Sequence, residues 1–273
     1  MMDKQFKIEA PEIVKSIKKD WRTGRPQIQP EIMTERGTET FRLRVAYKKD
    51  NRLAFLGHLE LITTIDRCVR RAQLPFRVGN GFAKRMSIQF SQSLPTGASS
   101  DAEYYDLKLT EYVEPDEALE RLKKATPPAL APFAVAYVDR SLPALEVWLN
   151  ASRWKCSILG KNLSAEILCW SFDELLARGE ITYMRGEKKK VVDLKSTFVR
   201  YSILDEATSH SIMFELDTLQ AKSASLRPGI LLRAAQECAH KGNKTGLEEV
   251  DSMKVCRISQ VYVDLDGRLV NPL

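Results

Sequence analysis

The stretch FRLRVAYKKDNRLAFLGHLELITTIDRCVRRAQLP, residues 41–75, changes its hydrophobic period partway along. In FRLRVAYKK, apolar and polar residues alternate, which predicts a strand with one apolar and one polar face. KKDNR is typical of a turn, and the apolar residues of LGHLELITTIDRCVRRAQLP recur at the spacing of an amphipathic helix that ends before Pro75. A strand that leads directly into a helix indicates a domain that mixes both element types.

The segments after this helix complete a unit of six elements. MSIQFS and YYDLKLTE alternate as strands, PDEALERLKKA has the spacing of a helix with Pro115 in its first turn, and FAVAYVD is a closing strand. The predicted order from 41 to 140 is therefore strand, helix, two strands, helix, strand. That order is typical of a ferredoxin-like βαββαβ unit.

The rest of the chain repeats this order of elements, although not the residues themselves. LEVWLNASRWKCSIL is extended, Ser164 and Gly179 bracket a helix, and ITYMRGEKKKVVDLKSTFVRYSIL indicates a hairpin with GEKKK at or near its turn. SIMFELDTL predicts a strand, LRPGILLRAAQECA a helix and KVCRISQVYVDLDG the closing strand. We therefore predict an α+β fold of two tandem ferredoxin-like (βαββαβ) units, 41–140 and 145–268, behind an N-terminal extension and linker, 1–40.

Composition narrows the classes of partner. The 273 residues carry a formal net charge of +6, which permits a polyanionic partner without requiring one. No apolar run approaches the roughly 20 residues that span a bilayer, and the charged start MMDKQFKIEAPEIVKSIKKDW lacks the apolar stretch of a secretory signal. We therefore expect a cytoplasmic protein that has no membrane partner.

Neither a metal site nor a cofactor is predicted. The five cysteines are scattered without the paired spacing of metal ligands, and the chain has three histidines. Cys68 lies on the apolar side of the first predicted helix, so we expect it to be a buried small hydrophobe.

Several motifs together resemble a known family. The succession LRVAYKKDNRLAFLGHLELITTIDRCVRRAQLP, VGNGF and SLPTGASSDAEYYDLKLTE, followed by KKKVVDLK, LRPGILLRAA and CRISQVYV, is similar to the radical-SAM-linked family of uncharacterised proteins over residues 41–265. Members occur alone or fused behind a radical SAM enzyme that carries a cobalamin-binding domain. The resemblance implies an accessory or substrate-handling role beside such an enzyme, with RNA as the candidate substrate. Glu60 departs from the family, in which an aspartate usually follows the histidine by two residues.

His58 is the candidate catalytic residue. It is the histidine of the first predicted unit, and histidine is the usual general base near neutral pH. At the entrance of a helix it could activate a ribose 2′-hydroxyl. The alternative is that His58 caps or packs against the first helical turn, because the sequence shows no partner that would orient its imidazole.

Positive charge accumulates along the chain, and it is the basis of the nucleic-acid hypothesis. Arginine and lysine bind phosphates with an affinity that falls as salt rises. The candidates lie on the first strand, the first helix and the loop after it, and on the predicted hairpin of the second unit and the residues after it. They are Arg42, Arg44, Arg67, Arg70, Arg71, Arg77, Lys84, Arg85, Lys188, Lys189, Lys190, Lys195 and Arg200. The alternative is an ordinary solvated surface.

Two glycine-bearing loops are weaker candidates for phosphate binding. The backbone near Gly79, Gly81 and Gly97 could approach a phosphate, but neither loop has the spacing of a nucleotide-binding motif. The glycines alternatively permit turns. The polar faces of the first unit's predicted strands carry small or charged residues instead of aromatics, so RNA contacts through shape and backbone are expected, not base stacking on the sheet.

Three functions remain open at this point. The first is a non-catalytic adaptor that binds tRNA or rRNA and assists a radical SAM enzyme. The second, by analogy of fold alone, is a metal-independent RNA endonuclease of the tandem ferredoxin-like type. The third is a protein-interaction module that uses residues 1–40 as a docking arm.

Overall fold

Two units make up the part of the chain that the computed structural model describes, residues 40–79, 84–204, 207–221 and 224–273. Among the described residues, the first unit holds 40–150 together with 260–273, and the second holds 151–259. The fold is α+β, and its strands pair antiparallel within each unit. The predicted N-terminal extension lies outside the described residues, apart from its last residue. No helix in the described ranges is both long and apolar enough to cross a bilayer.

The helices and strands follow the predicted alternation of element types, except that Leu145–Trp148, predicted as extended, forms a one-turn helix. In chain order they are β1 (Phe41–Lys49), α1 (His58–Arg71), β2 (Ile88–Phe90), β3 (Ala98–Leu109), α2 (Pro115–Ala125), β4 (Pro132–Tyr137), α3 (Leu145–Trp148), β5 (Ala151–Lys161), α4 (Ala165–Arg178), β6 (Glu180–Arg185), β7 (Lys188–Asp193), α5 (Leu194–Thr197), β8 (Phe198–Ile203), β9 (Ser211–Leu219), α6 (Pro228–Lys241), β10 (Glu249–Val263) and β11 (Leu269–Val270).

The first unit has the strand order β4-β1-β3, with β2 paired to β3. Helix α1 begins after Gly57, whose backbone N–H donates to Glu60 Oε2 at 2.8 Å and thereby satisfies one of the donors at the helix start. The apolar stripe of α1 packs with α2 on one face of the sheet, against the inward residues of β1 and β3. Cys68 is buried within α1, as predicted.

A second core covers the opposite face of the same sheet. Ala46 and Tyr104 lie beneath Trp148 and Leu149, and Tyr262 from the end of the chain packs against them. The rings of Trp148 and Tyr262 are stacked, with centroids 5.9 Å apart. The face of β1 that its sequence marks as polar is therefore covered by protein.

The predicted boundary of the second unit needs correction at its C-terminal end. We expected residues 145–268 to form that unit, but residues 260–273 belong to the first. The cause is β10, a single strand of 15 residues whose residues from 260 onward belong to the first unit. Asn150 holds Val263 by two bonds, from its Nδ2 to the Val263 carbonyl at 2.9 Å and from the Val263 amide to its Oδ1 at 2.7 Å.

The second unit has the strand order β10-β5-β9-β8. The predicted ends of its first helix are confirmed, since Ser164 Oγ accepts from the Ile167 amide and Gly179 ends α4 with a φ of 81°. The predicted hairpin is shorter than expected. Residues 180–193 pair as β6 and β7 in a two-stranded sheet of their own, and the one-turn α5 separates them from β8.

Candidate nucleic-acid interface

Arg42 and Arg44 do not contribute to a phosphate-binding surface, which corrects the prediction. They are 6% and 0% exposed and share Asp106, which is 2% exposed. Arg42 Nε lies 2.8 Å from Asp106 Oδ2, and Arg44 Nε lies 2.8 Å from Oδ1. Because two guanidinium groups surround one carboxylate, we call Arg42, Asp106 and Arg44 the buried triad.

Carbonyl groups of the segments that cover this face supply further partners of the buried triad. Arg42 Nη2 donates to the Pro143 carbonyl at 2.8 Å, and Arg44 Nη1 donates to the Pro272 carbonyl at 3.1 Å. The Arg44 guanidinium also lies 4.7 Å from the Trp148 ring centroid. Strand alternation identified a polar face correctly, but its charges are neutralised inside the protein.

The second unit contains a corresponding group of two arginines on one aspartate. Arg153 on β5 is opposite Asp217 on β9, just as Arg44 on β1 is opposite Asp106 on β3. Arg153 Nε and Arg200 Nε each lie 2.7 Å from an Asp217 oxygen. The units therefore share a cross-strand Arg–Asp pair that sequence analysis missed. Arg200, predicted to bind phosphate, is 42% exposed but ion-paired with Asp217.

The three arginines of α1 are exposed, but part of their bonding capacity is used within the helix. Arg70 Nε donates to Asp66 Oδ2 at 2.8 Å, and its guanidinium lies 5.0 Å from the Phe76 ring centroid. Arg71 Nε donates to the Arg67 carbonyl at 3.4 Å. The helix carries them on the α1 and α2 side of the sheet, away from the cations described next.

Backbone pairing brings Arg77, Ser87 and Lys108 together from three segments. The Arg77 amide donates to the Lys108 carbonyl at 2.8 Å, the Ser87 amide to the Arg77 carbonyl at 2.8 Å, and the Lys108 amide to the Ser87 carbonyl at 3.0 Å. Paired residues in adjacent strands have Cβ atoms about 5 Å apart. These three backbones are therefore immediate neighbours.

The direction of these side chains follows from strand alternation. Leu107 and Leu109 are fully buried on the α1 and α2 side, so Lys108 points to the opposite face. Phe76 pairs with Leu109, which places Arg77 on the face of Lys108. Arg85 precedes Ser87 by two residues and shares that face. We call Arg77, Arg85 and Lys108 the basic row.

The basic row is accessible, and a further cation adjoins it. Arg77 and Lys108 are half-buried, whereas Arg85 and its neighbour Lys84 are exposed. Lys108 was absent from the predicted set. Its signal was the alternation of YYDLKLTE, which puts Lys108 on the polar face of its strand. Only the backbone bonds of Lys108 to Arg77 and Ser87 show that it joins Arg77.

The three hairpin lysines are divided between two faces. Lys188 is opposite Arg185 and Lys190 is opposite Tyr183, whereas Lys189 is opposite Met184. Since cross-strand partners share a face, Lys188 and Lys190 lie on one side and Lys189 on the other. Lys195 lies at the start of α5, with its aliphatic chain over Gly179.

The predicted glycine loops do not present open amides. The Gly79 amide donates to the Arg85 carbonyl at 2.8 Å, and the Gly97 amide donates to the Ala54 carbonyl at 2.9 Å. Gly97 instead permits a turn with a φ of 88°. The phosphate-binding prediction is therefore wrong for these two amides, and Gly81 lies outside the described residues.

His58 is the first residue of α1 and packs against an aromatic ring. Its imidazole meets Phe90 edge to face, with centroids 6.2 Å apart. Within the described ranges, neither ring nitrogen has a hydrogen-bond partner. Phe90 in turn contacts Tyr105, and burial raises the pKa of that phenol, so it stays protonated and supplies no base. This is the packing role that the sequence left as an alternative to catalysis.

The fold and this surface define an α+β protein that presents cations on backbone-paired strands. The chain belongs to the family of uncharacterized proteins conserved in bacteria (DUF2344), whose model matches residues 42–228. No curated protein matches it. Among solved structures it is similar to a chain of "Crystal Structure of a Cbf5-Nop10-Gar1 Complex", with 10% sequence identity and a TM-score of 0.44 over 81% of this chain. The match spans 49% of that other chain.

Proposed function

We propose that the protein is a non-catalytic adaptor of two ferredoxin-like units that binds RNA, such as tRNA or rRNA, and assists a radical SAM enzyme. The basic row is the observation that supports RNA binding. The strand orders β4-β1-β3-β2 and β10-β5-β9-β8 support the ferredoxin-like interpretation. The radical SAM partner rests on the resemblance of residues 41–265 to the radical-SAM-linked family.

The charge of the basic row favours a phosphate backbone. Arg77, Arg85 and Lys108 come from separate segments. Asp106, two residues before Lys108 on the same face of β3, is paired with Arg42 and Arg44 instead. Lys84 adds a fourth cation at the exposed end. Adjacent cations that are not neutralised by acidic side chains attract a polyanion and release its counterions. Since the row carries no aromatic side chain, its contacts are with phosphate and sugar, not with bases.

The row is tested by removing its charges without changing the size of the side chains greatly. In the variant Arg77→Gln, Arg85→Gln, Lys108→Gln, we expect the affinity for tRNA to fall at least about 10-fold, and the salt slope to become shallower by about 2 to 3. Fluorescence anisotropy with labelled tRNA gives both quantities.

A matched control removes the same charge from the exposed side of α2. The variant Arg121→Gln, Lys123→Gln, Lys124→Gln also loses three cations, two of which pair with Glu117 and Glu120. We expect its affinity for tRNA to change by less than about 3-fold, because these side chains lie on a helix away from the row. Equal losses in both variants would mean that only net charge matters and that the row is not a site.

The endonuclease function is not proposed, because His58 packs on Phe90 and lacks an orienting partner among the described residues. We expect wild type and His58→Ala to leave RNA intact when each is incubated with it in EDTA. Gel electrophoresis of the RNA checks this expectation. Cleavage by wild type that His58→Ala abolishes would restore the enzyme hypothesis.

The partner is tested with the full chain and a purified cobalamin-type radical SAM enzyme from the same organism. We expect the two proteins to co-elute in size-exclusion chromatography. Deleting residues 1–40 then tests the docking-arm alternative, since unchanged co-elution would exclude that segment as the anchor. Separate elution of the full-length proteins, with and without RNA, would contradict the partner assignment.

A further inference from the structure

The β6–β7 hairpin is a two-stranded antiparallel ribbon that forms a sheet of its own. Its base is anchored by Ile181 and Val192, which face each other across the strands and are buried. Arg185 and Lys188 flank a two-residue turn, in which Gly186 has a φ of 61° and so favours glycine. Most side chains beyond the base are exposed.

The two faces of this ribbon differ in chemistry. Register places one aromatic ring and three cations on the first face, which we call the tyrosine face: Tyr183, Arg185, Lys188 and Lys190. The second face carries Thr182, Met184, Lys189 and Val191. Glu187, at the turn, is the one acidic residue between 181 and 192.

We propose that the tyrosine face binds an unpaired segment of RNA. This inference rests on the proposed RNA-binding function and adds a substrate class and a second site to it. Tyr183 stacks on one base, while Lys190, directly opposite, and Arg185 and Lys188, toward the tip, hold neighbouring phosphates. An aromatic ring among cations is the arrangement by which proteins bind single strands without base-specific hydrogen bonds.

A single strand fits this face better than a duplex does. Tyr183 is half-buried near the base of the ribbon, while Arg185 and Lys188 are exposed toward its tip, so its ring surface is flanked by charge on the outer side. In an A-form duplex the bases stay stacked on one another and the major groove is too narrow for side chains to read. Unpaired bases can turn out and cover the ring.

The residues have separable roles in binding, which the alternation of faces makes testable. Stacking on Tyr183 requires an unpaired base, so removal of the tyrosine ring lowers the affinity for single strands alone. The charges of Lys188 and Lys190 act on phosphates and therefore on the salt slope. Lys189 has the same charge and lies between them in sequence, but it points to the opposite face. It is the matched control that the chain itself offers.

The experiment uses the full chain, a labelled oligouridylate of about 12 nucleotides and an RNA duplex of equal length. We expect Tyr183→Ala to lower the affinity for oligouridylate about 10-fold or more and that for the duplex by less than about 2-fold. Tyr183→Trp should retain the affinity. Lys188→Ala with Lys190→Ala should reduce the salt slope by about 1.4, and Lys189→Ala should leave it nearly unchanged.

Several results would overturn this proposal. One is that the Tyr183→Ala variant binds oligouridylate as tightly as the wild-type protein does, while its circular dichroism spectrum shows that it is folded. Another is an equal loss of affinity for single strand and duplex. A third is a salt slope that Lys189→Ala reduces as much as Lys188→Ala with Lys190→Ala does. Binding of wild type to anionic vesicles that Met184→Ala abolishes, with no binding to oligouridylate, would assign the ribbon to a lipid surface instead.

The outcome is independent of the test on the basic row. If the variant of the basic row binds tRNA more weakly while Tyr183→Ala binds oligouridylate with wild-type affinity, the hairpin proposal fails and the proposed function stands. If the variant of the basic row binds tRNA with wild-type affinity while Tyr183→Ala binds oligouridylate more weakly, the basic row is not a binding site and the hairpin site stands.

Discussion

Asp106→Asn is expected to destabilise the first unit by about 3–5 kcal/mol. The substitution removes the carboxylate that the guanidinium groups of Arg42 and Arg44 share, while these residues remain 6% and 0% exposed. The carbonyls of Pro143 and Pro272 still accept hydrogen bonds, but they carry no net charge to offset the cost of burial. Urea unfolding, followed by circular dichroism and tryptophan fluorescence, measures the loss.

An exposed ion pair gives the control for this prediction. Asp66→Asn removes the partner of Arg70 on the surface of α1, where both side chains are partly exposed. We expect a loss of roughly 0.3–0.5 kcal/mol, which is typical of such pairs on helices. If Asp106→Asn cost no more than Asp66→Asn, the buried triad would not be a structural element of the first unit.

Gly160→Ala is expected to destabilise the second unit by about 3 kcal/mol. A Cβ at Gly160 on β5 would lie 2.1 Å from the backbone carbonyl oxygen of Glu249 on β10. Since the obstacle is backbone and not the end of a flexible side chain, the two strands must separate to accept the methyl group. The same unfolding measurement applies.

Gly229→Ala is the matched control, because it adds the same methyl group in open space. Gly229 follows Pro228 in the first turn of α6, and a Cβ there meets no atom within 4 Å. We expect it to be neutral or stabilising by up to about 1 kcal/mol. Similar stability of the two variants would contradict the close approach of β5 and β10.

The alternation of β1 shows what a sequence can and cannot specify. It predicted correctly that Arg42 and Arg44 share one face, since a strand has a period of two. It could not show whether water or protein covers that face, because the covering residues 138–149 and 260–273 are far away in sequence. The compensating Asp106 lies 62 residues beyond Arg44, a separation at which no local spacing applies.

The hairpin shows a limit of a different kind. The residue pattern predicts a turn at or near GEKKK, and a shift of one residue in register exchanges the two faces of a strand. The choice of Gly186 and Glu187 as the turn decides that Tyr183 joins Lys188 and Lys190. Arg185 and Tyr183 were missed for this reason, although both lie in the predicted strand.

The basic row needed information that only pairing provides. Arg77 and Arg85 were predicted from their clustering, whereas Lys108 lies 31 positions after Arg77 and was not predicted. The bonds among residues 77, 87 and 108 unite them. Conversely, the arginines of α1 are as close in sequence as any in the set, yet their helix carries them to the other side of the sheet.

The most direct test of RNA binding is the anisotropy of labelled tRNA titrated with the wild-type protein at two salt concentrations. We expect a Kd tighter than about 10⁻⁴ M at about 50 mM salt, since even non-specific binding normally reaches that range. Raising the salt to about 200 mM should weaken it roughly 20- to 40-fold if three phosphates are neutralised. Binding weaker than about 100 μM at the lower salt concentration, or an affinity that salt leaves unchanged, would contradict the account.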